Sequence, residues 1–166
     1  PNRDLQILSK VNFKESWPHI QNSLKAVTLS LAILEMTDQT LEKDDPHPGL
    51  FNILVDVLRG FNDGEIDPNI LFWFYECALL SHLGYRPDLD RRDMPGITFP
   101  NPYEGKHSGE LLLKLLDERI DQLPLNHVSP IDNRVISNYL QTQLFYHFDS
   151  LIRLRSLDIV RQILAD

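Results

Sequence analysis

The chain of 166 residues has a single cysteine, Cys77, so no disulfide framework can form within it, and a reducing compartment is the natural setting. Basic residues are scarce: 16 Lys and Arg stand against 24 Asp and Glu, a net charge of −8. Modules that bind nucleic acid through phosphate neutralisation usually carry a basic excess, so a DNA contact here would need a local patch. No signal peptide and no apolar run long enough to cross a membrane is present. The seven glycines are scattered at turns and form neither a phosphate-cradling loop nor a nucleophile elbow. No two of the six histidines stand two, three or four residues apart, the separations that put two ligands on one helical turn. Repeats and low-complexity tracts are also absent.

What is present is helical patterning. Hydrophobic residues make up 42% of the chain, enough for one domain with a core. The opening "PNRDLQILSKVNF" alternates weakly and reads as an extended lead-in. From Ser16, a candidate cap, Ile20, Leu24, Val27, Leu31 and Leu34 recur at helical spacing and predict one buried face. "EKDDPHPG" breaks the pattern. "LFNILVDVLRGF" predicts a second helix that ends near Gly60, before the turn "NDGEIDP". Asp67 and Pro68 then give a cap and a first helical residue, and "NILFWFYECALLSHL" is apolar around most of its circumference, as a central core helix would be. Cys77 lies inside it and reads as an inert buried thiol.

Gly84 fits the position just past a helix. From Arg86 to His107 there are four prolines and no periodicity, a long connection that needs a reason. Its "DLDRRD" lacks the glycine and distal glutamate of a calcium loop and reads as a solvated charged turn. "SGELLLKLLDERIDQL" predicts a further helix, with Asp117 and Glu118 facing solvent. Ser129, Pro130 and Asp132 mark the start of another, whose face is Ile136, Leu140, Leu144 and Phe148. A short helix follows Ser156. The fold class is therefore all-α, a compact domain of about six helices with an irregular loop.

Nothing in the sequence assembles a catalytic set. Arg153 and Arg155, just before Ser156 at a helix start, are the most suggestive cations: they can hold a carboxylate, with apolar surface from Leu151, Ile152 and Leu154, or pair with Asp149 or Asp158.

The order of these signals resembles the C-terminal helical domain of the bacterial recombination and repair mediator RecO. The resemblance rests on "LFNILVDVLRGFNDGEIDPNILFWFYECALLSHLGYRPDLDR" and "YHFDSLIRLRSLDIVRQIL", and spans nearly the whole chain. In that family the leucine-glycine-tyrosine-x-proline phrase leads into a zinc-binding insert. Here the two positions of the first cysteine pair are Arg92 and Pro95, and "EGKHSGELL" stands where the second pair is expected. Without thiolates a zinc-dependent loop is excluded. An Arg92–Asp93 ion pair is expected in place of the metal, with a looser or differently packed loop. No cofactor is implied.

The resemblance further implies residues 1–12 as the lead-in from a missing N-terminal OB-fold domain and 13–166 as the helical domain. The chain opens on Pro1, which reads as a domain cut from a longer protein. The implied role is that of a non-enzymatic mediator, cytoplasmic and nucleoid-associated, that loads recombinase and anneals strands with RecR and the acidic C-terminal tail of single-stranded-DNA-binding protein, meeting DNA mainly through the missing domain. Arg153, Arg155 and Ser156 are the candidate partner-binding residues. A generic helical interaction domain and an uncharacterised helical enzyme are the alternatives. An OB-like run of strands upstream would favour the first reading over the second, and a deep polar cleft with converging ionisable groups would favour the enzyme.

Overall fold

The computed structural model describes residues 10–125, 127–154, 156, 159, 160 and 162. Among them are five α-helices: α1 (Leu24–Thr40), α2 (Pro48–Asp63), α3 (Pro68–His82), α4 (Ser108–Leu116) and α5 (Pro130–His147). There are three 3-10 turns among the described residues, Pro18–Asn22, Ile120–Gln122 and Asp149–Arg153, and the first two take up stretches that periodicity assigns to longer helices. The only strands among the described residues are β1 (Asp93–Met94) and β2 (Ile97–Thr98), paired antiparallel with Asp93 opposite Thr98. The protein is mostly α. Ser156, Ile159, Val160 and Gln162 have helical backbone, where the short last helix was expected.

α3 is the axis of the domain. Every residue from Asn69 to Leu80 is buried, and α1, α2, α4 and α5 all pack on it. The Asp67 carboxylate accepts from the Asn69 amide at 2.9 Å, and Pro68 stands at the first helical position. At the other end Gly84 turns left-handed at φ 86°. The Gly84 amide then donates to Ser81 and the Tyr85 amide to Leu80, which satisfies two otherwise stranded carbonyls. Trp73, Tyr75, Phe72 and Phe74 are its largest fully buried side chains. Each contributes about 1.5–3 kcal/mol of burial. The two polar tips are used: Trp73 Nε1 donates to Ser137 Oγ at 3.2 Å, and Tyr75 OH shares a 2.6 Å bond with Thr37 Oγ1.

Several boundaries differ from expectation. Ser16 does not cap the first helix. The residue before a proline avoids the α region, so Trp17 stays non-helical and Pro18 opens a 3-10 turn instead. Ser23 is the cap, accepting from the Ala26 amide at 3.2 Å. α1 also buries a different face. Ala26, Leu29, Ala32, Ile33 and Met36 enter the core, while Leu24, Leu31 and Leu34 point to solvent. Both stripes have helical spacing; the two alanines, weak signals in sequence, belong to the face that packs on α3.

α2 runs past Gly60 to Asp63 and stops at Gly64, which is left-handed at φ 70°. Gly60 instead serves helix packing: a Cβ there would meet Leu71 Cδ2 at 2.9 Å. α4 ends at Leu116 because Glu118 adopts φ 57° rather than continuing the helix. α5 begins as its sequence predicts, with Ser129 Oγ accepting from the Asp132 amide at 3.1 Å. Ile136, Leu140 and Leu144 are buried, and Phe148 packs partly buried against the core.

Candidate functional site

The loop between α3 and α4 is ordered by two separate devices. The first is a tight hairpin. Pro95-Gly96 supplies the turn, with Gly96 at φ 82°, the combination that suits a type II turn. Thr98 Oγ1 donates to Asp93 Oδ1 at 2.8 Å across the strands. The Phe99 amide donates to the Arg92 carbonyl at 2.8 Å, and Arg92 Nε returns a bond to the Phe99 carbonyl at 3.1 Å. Arg92 and Asp93 therefore do not pair with each other, contrary to the sequence expectation. Each is committed to the opposite strand. The loop is packed differently rather than loosely: Leu89 and Phe99 are buried in the main core. Pro95 sits at the hairpin tip, where its carbonyl accepts from Tyr146 OH at 3.4 Å.

The second device lies in "EGKHSGELL", where the resemblance would place a second cysteine pair. Ser108 Oγ donates to the Pro102 carbonyl at 2.7 Å and accepts from the Gly105 amide at 3.1 Å. The buried Asp132 carboxylate accepts from the His107 amide at 2.8 Å and from Ser129 Oγ at 2.7 Å. One carboxylate thus ties the start of α4 to the start of α5. Burial pushes its pKa up, but the Ser129 hydroxyl and the backbone amides of His107 and Ser108 outweigh that and hold it below the ordinary value. A Cβ at Gly105 would collide with this carboxylate, so the loop can approach it only as glycine.

Two clefts flank these anchors. One, of about 510 Å³, is uncharged and lies between the hairpin tip and α5, with Gly96, Ile97, Gln141 and Tyr146 among its walls. The other, of about 350 Å³, lies between α4 and the start of α5. His107, Leu111, Lys114, Val128 and Asp132 line it. Lys114 pairs with Glu110 at 2.8 Å, and His127 Nδ1 lies 3.1 Å from Asp67 Oδ2. Behind the first cleft Tyr85 stacks on His147 at 4.2 Å, and Phe99 meets Tyr146 edge-on at 5.4 Å. The stack fixes the tyrosine of the leucine-glycine-tyrosine phrase against α5. Burial lowers the His147 pKa.

Cys77 is fully buried, and burial, aided by the nearby Glu76, pushes its thiol well above its usual range, which suits an inert core residue. Glu76 is buried too, and desolvation raises its carboxyl well above the carboxylate range. Among the described residues no group of three or more His, Cys, Asp or Glu is placed to hold a metal ion, and no helix is long and apolar enough to cross a membrane.

The predicted partner-binding residues are brought together only in part. Arg153 is exposed at the end of the Asp149–Arg153 turn and makes no salt bridge to Asp149. Arg155 lies outside the described residues, as does Asp158. Ser156 Oγ is buried without a hydrogen-bond partner. Of the three apolar residues expected to line a slot, Leu151 is a core residue and Leu154 packs against the core, so only Ile152 offers open surface. Neither cleft reaches this segment. Sequence spacing missed a different cluster: Glu118, expected in solvent on a continuing helix, lies 3.4 Å from His82 Nε2 and 3.9 Å from Arg86. Glu118 is more than thirty residues from His82 and Arg86, so the cluster has no local signature.

The fold is a mostly α domain in which the polar networks described above hold loops in place. Residues 21–92 match the family model "Recombination protein O C terminal". The chain is 25% identical to the DNA repair protein RecO of Salinibacter ruber over 98% of this chain and 70% of that protein. It is 27% identical to RecO of Exiguobacterium sibiricum over 66% of this chain and 44% of the relative, and 31% identical to RecO of Desulfitobacterium hafniense over 52% and 31%. The resemblance read from the sequence is therefore borne out. No solved structure matches the chain.

Proposed function

We propose that this chain is the helical module of a RecO-like mediator of DNA repair and recombination, one that binds protein partners and catalyses no reaction itself. The observation that carries the reading is the similarity to a DNA repair protein RecO along 98% of the chain. The polar networks support it by their chemistry. Asp132, Ser108, Arg92 and Asp93 spend their hydrogen bonds on backbone and neighbouring loops, and none is left poised toward a substrate.

The partners proposed are a RecR-like protein and the acidic C-terminal tail of single-stranded-DNA-binding protein, received near Arg153, Arg155 and Ser156. The exposed Arg153 guanidinium, which has no salt bridge among the described residues, supports a carboxylate contact there. DNA is met mainly through an N-terminal OB-fold domain that precedes residue 13, in a cytoplasmic, nucleoid-associated protein. The net charge of −8 favours that division of labour.

Recombinase loading tests the proposal. This chain, joined to the N-terminal barrel domain of a RecO relative and supplied with RecR, is added to recombinase and DNA coated by single-stranded-DNA-binding protein. The expected result is a shorter lag before recombinase-dependent ATP hydrolysis. An unchanged lag with folded, monodisperse protein would refute it.

A further inference from the structure

We draw no further inference here: the strongest candidate, the cleft of about 350 Å³ that His107, Leu111, Lys114 and Val128 line between α4 and the start of α5, carries none, because Lys114 is paired with Glu110 and nothing in the structure shows what covers it.

Discussion

Asp132→Ala removes the carboxylate that joins the starts of α4 and α5. The His107 amide, which donates to it at 2.8 Å, loses its acceptor beside a buried loop. A stranded backbone donor costs about 1–3 kcal/mol, and loss of a favourable charge in the first turn of α5 adds about 0.3–1 kcal/mol. The expected destabilisation is about 1–4 kcal/mol. For a chain of this length that lowers Tm by about 3–15 °C in a thermal melt followed by dichroism. The pH dependence carries the same signature. The Asp132 carboxyl is held below its ordinary value of 3.8, so its contribution is fully present above that value and is lost as pH falls through the lowered pKa. The gap between wild type and variant should be full at neutral pH and close in strong acid. Asp132→Asn, which keeps one acceptor, should lose less. A Tm within about 1 °C of wild type for Asp132→Ala, or a gap that persists unchanged below pH 3 (about one unit under the ordinary carboxylate value), would refute this account of the loop.

Glu76 binds a proton in the folded state that the unfolded chain has lost above about pH 4.5, so stability falls as pH rises from there toward the raised pKa, by up to about 1.4 kcal/mol per pH unit. Glu76→Gln should therefore melt higher than wild type at pH 7 and match it near pH 4; a lower melting point at pH 7 would refute the assignment. Elemental analysis of purified protein should find no stoichiometric zinc, because Arg92 and Pro95 replace thiolate ligands, and one zinc per chain would overturn that reading. Fluorescence anisotropy should show only weak binding of single-stranded oligonucleotide by this chain, whereas tight, strongly salt-dependent binding would require a basic face that a net charge of −8 does not supply.

The elements that were legible in the sequence are those with local chemistry. Asp67-Pro68, Gly84 and Ser129-Pro130 act within a few residues of themselves, and each does what its type predicts. α3 was legible because a helix apolar on all sides has only one place to go. What failed depends on distant partners. Which stripe of α1 is buried is decided by how closely α3 can approach, and Ala26 and Ala32 matter through their smallness. α4 stops short because Glu118 meets His82 and Arg86 from another segment. The hairpin left a trace in Pro95-Gly96, but strands of two residues show no periodicity. Of the candidate site, Arg153 is exposed and Ser156 Oγ is buried, while the slot expected beside them is spent on the core through Leu151 and Leu154.

The central claim, that this chain receives a protein partner, is tested most directly by calorimetric titration with the acidic C-terminal tail peptide of single-stranded-DNA-binding protein. Saturable binding is expected, weakened tenfold or more by Arg153→Ala with Arg155→Ala while the melting temperature stays within the small range of surface substitutions. No heat of binding from folded protein, or equal affinity in the double variant, would contradict the account.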